Sequence, residues 1–131
     1  MATKITSRYI GDGLVENEHG TSGSKIVTDL PSDNGGKGRM FSPTDLFATS
    51  YSSCILTIMG AFAEKSGKDI TGTVIEIEKH MQSEPRRIGK MILTVQFPKH
   101  VQEEEKEKYM RIIRSCPVGG SLHPDVVVEV K

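Results

Sequence analysis

The chain has 131 residues and a mass of 14.4 kDa, a length at which one domain can bury a core without disulfides or metals. Seventeen basic residues balance seventeen acidic ones, so no overall field attracts phosphate backbones or anionic lipid. We therefore expect neither nucleic acid nor a membrane as a partner. The N-terminus lacks an apolar signal region and no stretch approaches the ~20 apolar residues of a membrane span, which predicts a cytoplasmic protein.

The first third of the chain predicts a small sheet. Residues 3–30 mix β-branched residues with turn formers such as Gly11 and Gly13, a pattern typical of an antiparallel meander of two or three short strands. The next segment, residues 31–40, contains Pro31 and three glycines with almost nothing apolar. This composition predicts an exposed loop.

A long helix is predicted after this loop. Ser42 is suited to cap the free amides of a helix start, Pro43 to the first helical position, and Asp45 to the positive end of the helix dipole. Apolar side chains then recur at helical spacing, at Phe47, Tyr51, Cys54, Ile55, Ile58, Met59 and Phe62. This spacing predicts a central, mostly buried helix that runs to about Lys65.

The second half predicts a hairpin, a helix and a closing strand. Residues 73–82 and 90–97 alternate apolar and polar side chains, which favours two antiparallel strands. Residues 100–116 have the pattern of an amphipathic helix, and residues 125–130 that of a final strand. The apolar face of this helix carries Tyr109, Ile112, Ile113 and Cys116.

Two cysteines, Cys54 and Cys116, are the candidates for chemistry. They are too few for a secreted disulfide scaffold, and a reducing cytosol keeps them as thiols unless a reaction oxidises them. Each lies on the apolar face of a predicted helix, and two helices on one side of a sheet could bring the sulfurs together. We expect a reactive thiol and its disulfide partner. The alternative is packing, because free cysteine often serves as a small buried apolar residue.

Two segments resemble the signature of the OsmC/Ohr family, the osmotically inducible and organic hydroperoxide resistance proteins. FSPTDLFATSYSSCILTIMG, residues 41–60, resembles the start of the helix that bears the family's reactive cysteine. The matching positions are Pro43, Leu46 and Cys54. SCPVGGSL, residues 115–122, resembles the family's Cys-Pro-Val box, which carries the second cysteine, here Cys116.

This resemblance implies one α+β domain over residues 1–131, with antiparallel sheets, a long central helix and two chains intertwined in a homodimer. It also implies reduction of organic hydroperoxides in the response to oxidative stress. Cys54 would be the peroxidatic thiolate, and Cys116 would resolve it as a redox-active disulfide. A dithiol, dihydrolipoyl-type in some family members, would restore both thiols, and no metal or bound cofactor is required.

The resemblance further implies a cation beside the reactive thiolate, supplied in the family by an arginine held by a glutamate. Here Thr44 occupies the position of the Ohr-type glutamate and Asp45 follows it, an offset similar to a divergent, YhfA-like branch. We expect Asp45 to hold the arginine and Arg39 to be the activating cation, with Arg86 and Arg87 as the next candidates. The alternative for each arginine is a solvated surface side chain, and the alternative for Asp45 is an ordinary acid in the first turn of the helix.

Two other functions stay open at this point. A non-enzymatic redox-responsive or small-molecule-binding protein would keep the fold and both cysteines but lack an efficient activating cation. If both cysteines are structural instead, their redox state will not change when peroxide is added.

Overall fold

The chain forms two three-stranded sheets and two long helices in a computed structural model that describes all residues, Met1–Lys131. The contacts within the chain divide it into two units, Met1–Phe47 and Ala48–Lys131. The first unit contains one sheet, and the second contains the other sheet with most of the helical residues. The single domain expected over residues 1–131 stays a prediction.

The first sheet is the antiparallel meander that the sequence predicts. It has three strands in the order β1, β2, β3, with bounds Ile5–Gly11, Leu14–His19 and Lys25–Asp29. The β1–β2 turn has positive φ angles at Gly11, Asp12 and Gly13, of 98°, 58° and 82°. Glycine adopts this left-handed region without steric cost, which explains the two glycines that flank Asp12.

The predicted loop after β3 is held to the sheet by a buried carboxylate. Asp29 is 1 % exposed, and its Oδ2 accepts hydrogen bonds from the backbone N–H and from Nε of Arg39, at 2.9 and 2.8 Å. The Nη1 atom of Arg39 also donates to Oδ2 of Asp12 at 3.0 Å. Arg39 therefore joins the loop both to the end of β3 and to the β1–β2 turn.

Helix α1, Pro43–Lys65, begins and ends where the sequence predicts. Ser42 and Asp45 form a reciprocal cap, in which Ser42 Oγ accepts from the Asp45 N–H at 3.0 Å and Asp45 Oδ2 accepts from the Ser42 N–H at 2.9 Å. Within the second unit the buried face of α1 consists of Ala48, Tyr51, Ile55, Met59 and Ala63. The predicted helix is thus confirmed, with a buried stripe at three- and four-residue spacing. The expectation that it is mostly buried is wrong, because only five of its 23 residues are buried and its other faces, which carry Phe47 and Phe62, stay exposed.

Helix α1 is also long and apolar enough to cross a membrane, judged by length and composition alone. Its best 18-residue window has a mean hydropathy of 1.5, so the expectation that no stretch approaches a membrane span is wrong. The core helix of a water-soluble protein passes the same test, and Ile55 and Met59 of α1 lie fully buried in the core of the second unit.

The second sheet contains β4, β5 and β6 in that order, with bounds Val74–Gln82, Arg87–Gln96 and Val127–Val130. The β4–β5 hairpin is confirmed, although β5 begins at Arg87 rather than near residue 90. Strand β6 pairs parallel to β5, so this sheet is mixed where antiparallel pairing is expected. The cause is the connection, because a helical crossover between β5 and β6 returns the chain in the same direction.

Helix α2, Glu103–Ile112, is shorter than the predicted helix over residues 100–116. It continues as a 3₁₀ turn, Ile113–Ser115, and a four-residue helix α3, Pro117–Gly120, follows. Cys116 lies between them with an extended backbone, φ −65° and ψ 121°. The reason is Pro117, whose ring disfavours the helical conformation in the residue before it.

We predict that the Asp29–Arg39 ion pair makes the stability of the protein depend on pH in the acid range. Hydrogen bonds from Arg39 lower the pKa of Asp29 to about 2, whereas an unfolded aspartate titrates near pH ~4. Asp29 therefore contributes its full stabilisation above about pH 4 and loses it as the pH falls towards 2. The free energy of unfolding, measured by urea denaturation of wild type and Asp29→Asn, should differ most at pH 6 and converge towards pH 2. A constant difference would contradict this assignment.

Candidate functional site

The two thiols of the chain meet within the second unit. Cys54 is half-buried on α1, Cys116 is 2 % exposed, and both are free cysteines. Cys54 packs against the buried core cluster that includes Cys116, and the Cys54 side chain is among the causes that raise the Cys116 pKa. The two thiols are therefore neighbours, but the expectation that Cys116 lies on the apolar face of the second helix is wrong, because it follows the 3₁₀ turn with an extended backbone.

Aromatic packing anchors α2 and so places Cys116 in the core. Tyr109 of α2 is 2 % exposed and lies edge-on to Phe62 of α1, with ring centroids 6.0 Å apart. Its other neighbour is Phe97, at 5.9 Å. Such aromatic contacts are specific in geometry as well as apolar. They fix the helix that leads through the 3₁₀ turn to Cys116.

The surroundings of Cys116 keep it protonated. Burial raises the pKa of the Cys116 thiol, and its hydrogen bond with Cys54 raises it further. The backbone N–H groups of Gly119 and Val118 act in the opposite direction and lower the pKa. The net effect is a raised pKa, which keeps the Cys116 thiol neutral at physiological pH.

The two sulfurs consequently differ in what they can do. Cys54 is partly exposed, so it is the sulfur that a reagent in solution reaches first. Cys116 is buried and neutral, so it meets Cys54 and not the solvent. When the more exposed sulfur of such a pair is oxidised, the two thiols can lose two hydrogens and form a disulfide.

The predicted charged residues have well-defined partners elsewhere. Arg39 binds Asp29 and Asp12 in the first unit, where hydrogen bonds raise its pKa. Asp45 of the same unit caps α1 through Ser42. Their roles in activating the Cys54 thiolate stay predictions.

The other two candidate arginines lie where the β4–β5 turn leads into β5. In the second unit, Arg87 contacts Nδ1 of His123 at 3.3 Å and a carboxylate oxygen of Asp125 at 3.6 Å. Arg86 precedes it in the β4–β5 turn. Their candidacy as the activating cation also stays a prediction.

Sequence reasoning missed two features that matter for the site. The carboxylate partners of Arg39 carry no sequence signal, because Asp29 reads as an ordinary polar residue at a strand end. The second feature is the closeness of Tyr51 to the turn that follows Cys116. The only sequence feature that indicates a close approach there is the glycine pair Gly119-Gly120. A methyl group at Gly119 would lie 3.1 Å from the Tyr51 ring.

Comparisons with known proteins identify the family and the fold of the chain. The sequence profile described as OsmC-like protein matches residues 36–131. A structure from Psychrobacter arcticus 273-4, provisionally named as an osmotic stress induced and detoxification response protein, is 39% identical, with a TM-score of 0.89. The match covers 99% of this chain and 93% of that one. No protein among the curated sequences matches the chain.

More distant solved structures share the fold. An organic hydroperoxide resistance protein OsmC from Legionella pneumophila is 19% identical, with a TM-score of 0.76 over 99% of this chain and 95% of that one. An OsmC-like protein of unknown function from Vibrio cholerae O1 is 16% identical, with a TM-score of 0.80 over 100% and 99%. The α+β fold expected from the sequence is therefore confirmed. With the profile spanning most of its length and the Psychrobacter protein aligned over nearly all of it, the chain belongs to the OsmC-like protein family.

Proposed function

We propose that the protein is a cysteine-based peroxidase that reduces organic hydroperoxides, with Cys54 as the attacking and Cys116 as the resolving cysteine. The observation that carries the proposal is the contact between a partly exposed thiol and a buried one. The Legionella relative, named as an organic hydroperoxide resistance protein, supports the choice of substrate.

The proposed reaction begins at the Cys54 sulfur. Its thiolate attacks the terminal oxygen of a hydroperoxide, the O–O bond breaks, and the released alkoxide takes a proton to become an alcohol. Cys54 is then a sulfenic acid. The Cys116 sulfur attacks it, an S–S bond forms, and the departing hydroxide combines with the Cys116 proton as water. An external dithiol, of lipoyl type, reduces the disulfide by exchange and is itself oxidised to a disulfide.

The burial of Cys116 suits the resolving role. A neutral thiol that is 2 % exposed does not compete with Cys54 for peroxide, because the thiolate is the nucleophile. Its position beside Cys54 lets it attack a sulfenic acid there once the Cys116 thiol has given up its proton. The pair therefore protects its outer sulfur from irreversible oxidation.

The proposal includes a cytoplasmic homodimer, and the first unit supplies the argument for a second copy. Two apolar side chains that share one face of β1 are largely exposed, Ile5 at 66% and Tyr9 at 69%. Apolar groups gathered in this way favour burial against a partner. A second copy of the chain is the partner that the family resemblance implies.

We predict that one equivalent of cumene hydroperoxide converts the reduced wild type to a disulfide within seconds. Intact-mass spectrometry after thiol blocking should show the loss of two hydrogens. Cys116→Ser should instead gain one oxygen, as a sulfenic acid trapped by dimedone, and Cys54→Ser should stay reduced. Two unmodified thiols in the wild type after minutes would contradict the proposal and favour a binding or redox-responsive protein that lacks peroxidase activity.

Alkylation should locate the activating cation. We predict that iodoacetamide modifies Cys54 before Cys116, because Cys116 is buried and its pKa is raised. If Arg39 activates the thiolate, Arg39→Gln moves the pH midpoint of Cys54 alkylation upwards, whereas Arg86→Gln and Arg87→Gln leave it in place. Peptide mass spectrometry across pH 5–9 separates these outcomes, and a shift in an Arg86 or Arg87 variant alone would reassign the role.

The dimer can be tested by sedimentation velocity. We predict a particle of twice the 14.4 kDa chain mass. Ile5→Glu should weaken the association of the two chains, because the glutamate charge would have to leave water when the dimer forms. Thr6→Glu is the matched control, since adjacent residues of a strand point to opposite faces. A monomeric wild type at micromolar concentration would refute this part of the proposal.

A further inference from the structure

One aromatic ring of the second unit lies directly against the turn that follows Cys116. Tyr51 is 5 % exposed on α1, about one helical turn before Cys54. A methyl group built on Gly119 would lie 3.1 Å from its Cε1 atom and 3.3 Å from its hydroxyl oxygen. A side chain at position 119 would therefore require the ring or the turn to shift by a few tenths of an ångström.

The turn is short, so a shift at Gly119 is transmitted to Cys116. Helix α3 has four residues and begins immediately after Cys116. The Gly120 N–H donates to the Cys116 carbonyl oxygen at 3.0 Å, which closes the turn over Gly119. The Gly119 and Val118 N–H groups also face the Cys116 thiol closely enough to affect its titration. The positions of Gly119 and of the Cys116 sulfur are thus coupled.

We propose that Tyr51 and Gly119 are positioning residues that set the separation of the Cys54 and Cys116 sulfurs. Tyr51 and Cys54 belong to one rigid helix, so the buried ring acts as a spacer between that helix and the Cys116 turn. Glycine at position 119 allows the turn to approach the ring. The biological purpose of this positioning rests on the proposed function. The positioning itself does not, because the spacing of the sulfurs can be measured without a peroxide.

Disulfide formation is a sensitive measure of that spacing. A bond requires the two α-carbons within roughly 4.4 to 6.8 Å and suitably directed side chains. Glutathione disulfide is a suitable oxidant for the test. The Cys54 thiolate attacks one of its sulfurs and releases one glutathione, and Cys116 then displaces the second. Two protein thiols become a disulfide, and the glutathione disulfide becomes two thiols.

The experiment compares Gly119→Ala with Gly120→Ala in glutathione redox buffers, with thiols trapped and counted by mass. Gly120 is the matched control, because it lies in the same turn and a methyl group there meets nothing within 4 Å. Gly119→Ala should lower the equilibrium constant for disulfide formation about tenfold or more, since displaced sulfurs strain the bond. Gly120→Ala should stay within about twofold of wild type, a change worth under ~0.5 kcal/mol. Equal effects of the two substitutions, large or small, would overturn the inference.

Variants of Tyr51 separate the ring from its hydroxyl group. Tyr51→Phe keeps the ring and should match wild type, whereas Tyr51→Leu should lower the constant. In the double variant with Gly119→Ala the loss should be smaller than the product of the two single losses, because both act through one contact. An effect of Tyr51→Phe as large as that of Tyr51→Leu would contradict a spacing role. If Tyr51→Leu does not fold, the comparison of Gly119→Ala with Gly120→Ala tests the inference by itself.

The outcomes for this inference and for the proposed function are distinct. A wild type that forms the disulfide with glutathione disulfide but not with cumene hydroperoxide would refute the peroxidase and leave the positioning role intact. A wild type that responds to both oxidants, with the two glycine variants alike, would refute the positioning role alone.

Discussion

The contact between Cys54 and Cys116 is the interaction on which this account of the protein depends. The two residues are far apart in the chain, and neither would be informative alone. Their meeting requires the buried face of α1, the Tyr109 ring packed on Phe62, and a helix that stops short so that Cys116 can turn inwards. Packing in the core of the second unit thus places the two sulfurs beside each other.

Burial then gives the two thiols different chemistry. A thiol in an apolar core resists ionisation, so Cys116 stays protonated while Cys54 remains within reach of solvent. In the reaction that we propose, Cys54 makes the first attack and Cys116 the second. In the reaction that we propose, the two thiols themselves supply the electrons that reduce the peroxide, so the reaction as written involves no metal or cofactor.

Local patterns predicted most of the elements and the cysteine pair. The Ser42–Pro43–Asp45 start and the apolar spacing of α1 specify a helix by local rules, and the structure follows them. The parallel pairing of β6 and the early end of α2 depend on contacts between distant segments and on the turn imposed by Pro117, which alternation of side chains does not encode. The ion pairs of Arg39 and the packing of Tyr51 on Gly119 likewise arise only once the chain is folded.

Catalytic turnover tests the central claim most directly. The measurement is the consumption of cumene hydroperoxide by a hundredfold smaller amount of protein, with dihydrolipoamide as the sole reductant. The account predicts many turnovers for wild type and none above background for Cys54→Ser. Consumption by wild type at the rate of the protein-free reaction would show that the paired thiols do not form a peroxidase.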